Sequence, residues 1–550
     1  MQMIRLVLIS LLLAGIFTTG SAELPGKIKN FIGNSSDCAD FEIDGESLFS
    51  GKLLPLFYIN RSYYSAWFSR DSLSSNGFEL LRYIRQVDQQ GLQPEDYHLH
   101  LIELYLGKVL TCPKADTTDM MKLEVLLTDA FMLLGSHLYY GKVDPEREGS
   151  DWNMNRKDPE LRLDLKLEEA LAENEILDML NILAPGYRSY WMMKEELAFF
   201  LKLNDQIWPV ILYDQAIRPG DSSQLLPGIR ERLIKLRYQL TDSASTVLDE
   251  ELVNQLKLFQ EDWGLNPDGV IGKATLDGLN SLPYKLISQL KVNMERYRWL
   301  PLRDTGKYII VNIANYKLDL ISGTDTLVSM RVVVGKETRS TPVFNEQLSY
   351  IVFSPSWTVP KTILQDDVIP QLLKGPGYLE KRNMKLLRND GSELAYSEID
   401  WSVISKDNFP YIVRQDPGPG NALGQVKFMF PNNYNVYIHD TPSKASFARE
   451  ERDMSSGCVR VENPFDLAVL LLSDSPEWSP LKIRMAMQQD KEQIARLKIP
   501  VDVVLIYLTA WTDGRDRIQF RKDVYQKDER VMAALNQKPE VTKAHTFLLK

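Results

Sequence analysis

Cysteine is nearly absent from this 550-residue chain, which has only Cys38, Cys112 and Cys458. So small a set excludes a disulfide-stapled scaffold or a cysteine-rich zinc module. Histidine is scarce as well, at five residues, and His98 and His100 have no carboxylate or cysteine at ligand spacing, so no metal and no cofactor is expected. Apart from the first residues, no apolar segment approaches the roughly 20 residues that span a bilayer. There is no heptad, collagen-like or low-complexity tract. The net charge of -10 is spread along the chain without a basic block, which excludes a nucleic-acid partner. What is present is a globular composition, 44% hydrophobic and 25% charged, at a length that calls for three or four folding units.

The N-terminus sets the compartment. Arg5 precedes an apolar run from Leu6 to Phe17, and Thr18 to Ala22 follow with small residues at Gly20 and Ala22. Residues 1–22 therefore read as a secretory signal peptide, and a soluble periplasmic protein is expected, with no stable membrane insertion after cleavage. An odd cysteine count in an oxidising compartment leaves one thiol free or paired with another chain. Cys38 and Cys112, in the same N-terminal region, are a candidate disulfide, which would make Cys458 the free thiol.

The expected fold is multidomain α+β. Residues 23–224 read as a helical scaffold; Leu123, Leu126, Leu127, Ala130, Leu133, Leu134 and Leu138 recur at the spacing of one helix face, and His137 beside them is expected in the core. Residues 225–283 read as a small three-helix module in which Asp249 caps a helix carrying Leu252, Leu256 and Phe259. From 300 to 512 the period changes to two, as in Tyr308 to Ile313, Lys317 to Ile321 and Met330 to Val334, giving a β-rich domain. Its strand pattern lapses over about 361–412, with a helix expected from Ile363 to Leu373, so an inserted lid subdomain is expected there. Strands resume to Val501–Tyr507, ahead of a charged tail over 513–550.

In Asn435-Val436-Tyr437-Ile438-His439 side chains alternate, so Tyr437 and His439 share a face opposite Val436 and Ile438. Nineteen positions after His439 stands Cys458, within Ser455-Ser456-Gly457-Cys458-Val459-Arg460-Val461. Asn463-Pro464 then reads as an N-cap and first helical turn. A thiol, with its ordinary pKa of about 8.5, needs a neighbouring imidazole or backbone donors to become a useful nucleophile near neutral pH, and His439 is the candidate base. Asp440 is the candidate third member, orienting the imidazole through its carboxylate or through its main-chain carbonyl. The amides of Gly457 and Cys458 are candidate oxyanion donors. Tyr437 is expected to touch substrate, Trp357 to form an apolar wall or belong to the core, and Arg460 to meet a substrate carboxylate or to bond the carbonyls of the cysteine turn.

These residues carry a resemblance. His-Asp-Thr-Pro-Ser-Lys at His439, followed by Ser-Ser-Gly-Cys-Val-Arg at Cys458, resembles the L,D-transpeptidase catalytic domain of the YkuD type. Ser456 departs from the many members that have a second histidine there. Phe259-Gln260 and the Asp-Gly-x-x-Gly-x-x-Thr run from Asp268 to Thr275 resemble a peptidoglycan-binding module. The order of parts, with matches such as Arg414-Gln415-Asp416-Pro417-Gly418 and the segment from Asn421 to Phe428, resembles the large periplasmic YcbB-like branch. The resemblance implies a cell-wall enzyme whose partners are peptidoglycan stem peptides and glycan. Cys458 would form a thioester with a donor stem and pass it to an acceptor amine in a 3→3 cross-link, with Ser456 and Asn421 on the substrate side and carbapenems as acylating inhibitors. Set against this are a carboxypeptidase or endopeptidase of the same fold and a non-catalytic wall-binding scaffold.

Overall fold

The computed structural model describes residues 23–33, 41–111, 116–146, 152–154, 161–212, 215–301 and 306–539. The signal-peptide reading and the Cys38–Cys112 pairing fall outside the described residues. The N-terminal region is helical, as its apolar periodicity requires. Its central helix, α1 (Thr117–Tyr140), is capped by the Asp116 side chain and is buried over almost its whole length after the first turn. His137 lies in this core, its Nδ1 2.9 Å from the Tyr97 hydroxyl.

His98 has partners that no sequence spacing announces. Its Nδ1 is 2.7 Å from Glu46 Oε1 and its Nε2 2.7 Å from Asp129 Oδ2, and Asp129 also accepts from the amides of Phe49 and Ser50. Among the described residues no group of three or more histidine, cysteine or acidic side chains is placed to hold a metal ion.

The link to the next units is α2 (Pro283–Trp299). Its run Glu295-Arg296-Tyr297-Arg298 is polar, yet Glu295 and Arg298 are fully buried and form an ion pair of 2.7 Å. Charges so placed are tolerated only when paired and hydrogen-bonded. Glu295 accordingly also accepts from the Val143 amide, Arg298 donates to the Gln90 carbonyl, and Arg296 reaches Asp528.

The β-rich unit is a sheet that closes on itself. Its main strands are β1 (Lys307–Asn312), β2 (Lys317–Ser322), β3 (Asp325–Gly335), β4 (Val343–Phe353), β5 (Val426–Met429), β6 (Ile438–His439), β7 (Val459–Val461) and β8 (Gln493–Ile506), with the short strands Trp152–Asn153 and Asp453–Ser455 added beside β4 and β3. They run in the order β5-β6-β7-β3-β2-β1-β8-β4, and β4 also pairs with β5. The pairs β6–β7 and β1–β8 are parallel. Strand β8 starts well before the expected Val501 because a register shift between Arg496 and Val501 lets the chain pass Pro500, which has no amide proton to give to the ladder.

Three apolar cores result. The N-terminal helices and the closed sheet share one, whereas the three-helix module (Leu226, Leu252, Phe259, Leu276) and the insertion (Val368, Leu372, Leu386, Val413) each have their own. The insertion begins earlier than 361, because Trp357–Thr358 and Ile412–Gln415 pair across its neck as outer and inner strands of a small four-stranded sheet. The helix expected from Ile363 to Leu373 is broken by a π-turn over Leu364–Val368, ahead of Pro370. The charged tail includes a strand, Ile518–Phe520, and α3 (Asp528–Leu535), which packs on α2.

The buried imidazole of His98 has a pH signature. Burial opposes its charge, but the hydrogen bonds to Asp129 and Glu46 outweigh burial and raise its pKa to about 9. A histidine raised on folding contributes stability that is full below its ordinary value and lost as pH rises through about 9. In guanidinium unfolding, wild type is expected to exceed His98→Gln by on the order of 3 kcal/mol at pH 6, with the gap closing by about pH 10. An equal gap at both ends of that range would rule out a charged His98.

Candidate active site

The parallel register of β6 with β7 decides which side chains meet. Ile438 pairs with Val459 and His439 with Arg460, and Lys427 on β5 pairs with His439 from the other side. Strand alternation therefore puts Lys427, His439 and Arg460 abreast on one face. Tyr437 and Cys458 stand together one step back; the Val459 amide donates to the Tyr437 carbonyl at 3.1 Å. Cys458 thus has Tyr437 as its direct neighbour and His439 as its diagonal one. Among the described residues no hydrogen bond joins the thiol to the imidazole; Sγ lies 3.8 Å from the Asn435 carbonyl, and Tyr437 acts on it through both its backbone and its hydroxyl. The Tyr437 and His439 rings meet edge to face, 5.6 Å between centroids.

Position is enforced by the backbone around each residue. The turn before Cys458 needs Gly457, whose φ is +112°. Thr341, fully buried, donates its hydroxyl to the Gly457 carbonyl at 2.8 Å, and Ser455 Oγ donates to the Cys458 carbonyl at 2.6 Å. The Gly457 amide is itself committed to Ser455 Oγ at 3.1 Å, so of the two expected oxyanion donors only the Cys458 amide is without a partner among the described residues. The expected N-cap at Asn463 makes no side-chain capping bond, although Pro464 does open the helix Pro464–Leu471.

For Asp440 the structure separates two roles. Its carbonyl lies 2.5 Å from His439 Nδ1; a carbonyl can only accept, so the proton is on Nδ1 and Nε2 is the basic atom. Its carboxylate instead accepts from the Gln425 amide at 2.9 Å and from Lys444 Nζ at 2.7 Å. This carboxylate fits beneath Gly424, which has a φ of +62° and where any Cβ would fall 2.3 Å from Asp440 Oδ2.

Three further candidates have mixed fates. Trp357 lies at the neck of the insertion, packed against its core and close enough to the Tyr437 hydroxyl to act on that group's ionisation. Ser456 is exposed and accepts from Arg339 Nη1 at 3.2 Å. Asn421, expected on the substrate side, is fully buried: its amide donates to the carbonyls of Pro355 and Asp416, and its oxygen accepts from the Leu423 amide. Its side chain is spent on the junction between sheet and insertion.

Sequence reasoning missed Lys427, Thr341 and Arg339. Alternation along Val426–Met429 was available as a signal for Lys427. Nothing local marks the other two.

Residues 306–479 match the family model of the L,D-transpeptidase catalytic domain, YkuD. Over these residues the chain is similar to the L,D-transpeptidase catalytic domain. Residues 52–197 match a scaffold domain and 226–279 a "Putative peptidoglycan binding domain". A curated Haemophilus influenzae protein, described as "Putative L,D-transpeptidase", is 34% identical over 249 residues, which is 45% of this chain and 50% of that protein. The chain thus spans about half the length of the curated relative it matches. Solved L,D-transpeptidases from Xylanimonas cellulosilytica and Stackebrandtia nassauensis each align over 54% of this chain, and over 99% and 96% of theirs, at 13% identity with TM-scores of 0.17 and 0.22.

The electrostatics of this domain favour a neutral resting site. Burial, then the Arg460 guanidinium, with Lys427 also contributing, holds the His439 imidazole down at about 3. Burial pushes the Cys458 thiol up, against the lowering effect of Tyr437 and Arg460. A preformed thiolate–imidazolium pair is disfavoured from both sides. Iodoacetamide alkylation of Cys458 should therefore be slow at pH 7 and still rising beyond pH 8.5, followed by intact-protein mass. A rate that levels off below pH 7 would establish the ion pair instead.

Proposed function

We propose that the chain is a peptidoglycan L,D-transpeptidase, exported to the cell wall, that makes 3→3 cross-links through a thioester on Cys458. The observation that carries this reading is a thiol held in a Gly457 turn, beside Tyr437 and diagonal to a neutral, Nδ1-protonated His439, inside a domain that matches the YkuD family. Among the described residues no helix is long and apolar enough to cross a membrane.

The chemistry follows from the protonation states. Cys458 Sγ attacks the carbonyl carbon of the third residue of a donor tetrapeptide while His439 Nε2 takes the thiol proton. Catalytic hydrogen bonds often close only around bound substrate, which accommodates the diagonal placement in the free protein. The developing oxyanion turns to the Cys458 amide, and one such donor is worth roughly 3 kcal/mol in the transition state. The carbon–nitrogen bond breaks, the imidazolium returns its proton to the departing D-alanine amine, and a thioester remains. An acceptor side-chain amine then attacks, gives its surplus proton to His439, and restores the thiol as the new amide forms. The thioester conserves the energy of the broken peptide bond, so the exchange runs without an external energy source.

Specificity rests on charge. Arg460 Nε is buried without a hydrogen-bond partner, and Lys427 stands two strands away on the same face. A buried guanidinium N–H without an acceptor is costly until an anion satisfies it. Arg460 is assigned to a carboxylate of the stem, with Lys427 adding to the local positive field. Tyr437 and Trp357 supply the wall along which the stem lies.

Incubating purified protein with a tetrapeptide muropeptide should give a donor adduct by intact-protein mass and 3→3 dimers among the products. Cys458→Ala should give neither, and His439→Gln should acylate about 10²- to 10⁴-fold more slowly. Release of tripeptide without dimers would convert the reading to a carboxypeptidase. Wild type that forms no adduct would refute acyl transfer and leave a wall-binding scaffold.

A further inference from the structure

The amide left open to an oxyanion belongs to a peptide unit that is held from behind. The Cys458 N–H and the Gly457 carbonyl are the two ends of one planar trans peptide, so their bonds point in opposite directions and fixing one aims the other. Thr341 fixes the carbonyl end. Its hydroxyl accepts from the Gly335 amide at 2.9 Å, so its single proton goes to the Gly457 carbonyl, 2.8 Å away. The Thr341 side chain is fully buried, which shields that bond from solvent. Ser455 accepts from the Gly457 amide and donates to the Cys458 carbonyl, and so secures the peptide units on either side.

Thr341 is itself held by the C-terminal segment. Tyr525 donates its hydroxyl to the Gly335 carbonyl at 2.5 Å and accepts from the Thr341 amide at 3.2 Å. Gly335 is thus bonded at both ends, and a Cβ there would collide with the Arg339 carbonyl and the Thr341 amide. Tyr525 stacks on Tyr507, with 5.3 Å between ring centroids and 11° between planes, and gives its amide to the Tyr507 hydroxyl at 2.8 Å. Tyr507 in turn is anchored on the Asp523 carboxylate at 2.5 Å. Burial pushes the Tyr525 hydroxyl up to about 12, so it keeps its proton at neutral pH.

We propose that Thr341 is a positioning residue for acyl transfer: through the Gly457 carbonyl it aims and polarises the Cys458 amide toward the oxyanion, and Tyr525 holds it in place. A hydrogen bond accepted at a peptide carbonyl strengthens the N–H of the same unit as a donor, and a preset donor needs no reorganisation as charge develops. With the Gly457 amide spent on Ser455, no neighbouring amide of the turn makes up for a misaimed one. The inference rests on the reading that Cys458 is acylated, and it adds a determinant of rate that lies behind the turn, outside the face of Tyr437 and His439.

The test compares two reactions of the same thiol in the full chain, each followed by mass at the Cys458 peptide with Cys458→Ala as the blank. Acetylation by p-nitrophenyl acetate passes through an oxyanion: sulfur bonds to the acetyl carbon, p-nitrophenolate leaves, and the thiol proton passes to His439. Alkylation by iodoacetamide displaces iodide at a saturated carbon and forms no oxyanion. Thr341→Val, close in shape but lacking the hydroxyl, should acetylate about 10- to 100-fold more slowly while alkylating within about 2-fold of wild type. Thr341→Ser, which keeps the hydroxyl, should acetylate within ~3-fold of wild type, and Tyr525→Phe should fall between the two. A tetrapeptide muropeptide should follow the same order in kcat, with KM little changed. A valine variant that acetylates like wild type, an equal loss in alkylation, or a serine variant that does not restore acetylation would each overturn the proposal. So would a wild type that alkylates but never acetylates. The expected acetylation pattern in a protein that never takes the muropeptide would keep Thr341 in its role and remove the transpeptidase reading.

Discussion

The parallel pairing of Ile438–His439 with Val459–Val461 is the constraint on which the catalytic face depends. In that register Tyr437 stands level with Cys458, and His439 with Arg460. A slip of one residue would turn every one of these side chains to the opposite face, since strand side chains alternate with period two. So short a ladder, two pairs of residues, does not fix its own register. The fixing is done from outside: β5 and β3 flank the pair, Thr341 holds the Gly457 carbonyl, and the Asp440 carboxylate is locked beneath Gly424 by the Gln425 amide. The site is thus a consequence of the closed sheet, and the sheet in turn shares its core with the N-terminal helices through α2.

The same packing explains the resting protonation states. Removing a thiol and an imidazole from water disfavours the charged form of each, and two cations abreast of the imidazole lower its basicity further. Such a site holds a reactive thiol without exposing a standing thiolate to oxidants. The cost is that ionisation waits for substrate. In the proposed reaction, a stem carboxylate arriving at Arg460 would offset the guanidinium that suppresses His439 and raise the basicity of the group that takes the thiol proton, coupling recognition to activation through one side chain.

How much of this is legible in the sequence divides along physical lines. The face shared by Tyr437 and His439, the turn at Gly457 and the helix cap at Asp249 are local, and period or turn chemistry is enough to read them. Register is tertiary, which is why the direct neighbour of Cys458 could not be named. The Gly457 amide is a candidate oxyanion donor by sequence, but the Ser455 hydroxyl occupies it. Asn421 looks like a free polar side chain, but every hydrogen bond it makes reaches inward. His98 finds Glu46 and Asp129 across 52 and 31 residues of chain, beyond any ligand-spacing rule. Polar residues in α2 disguise a helix at the centre of the molecule, because burial of paired charge has no hydrophobic signature.

The insertion follows a different rule from the rest. Its core is separate from that of the sheet, and one bond to the nucleophile loop is ionic: Arg339 reaches Asp366 and Asp367 on the broken helix at 2.9 and 2.7 Å and also donates to Ser456, two residues before Cys458. Both aspartates are about half exposed, so each pair is worth at most about 1 kcal/mol. Separating these contacts exposes little apolar surface, whereas displacing an element of the shared core would expose a great deal. The chain therefore has rigid packing beneath the thiol and weak, solvent-screened contacts between the insertion and the loop beside it, an arrangement that suits the entry and exit of two bulky stems in the proposed reaction. Arg339 touches both the insertion and the residue beside the Gly-Cys turn, and so bridges the two directly.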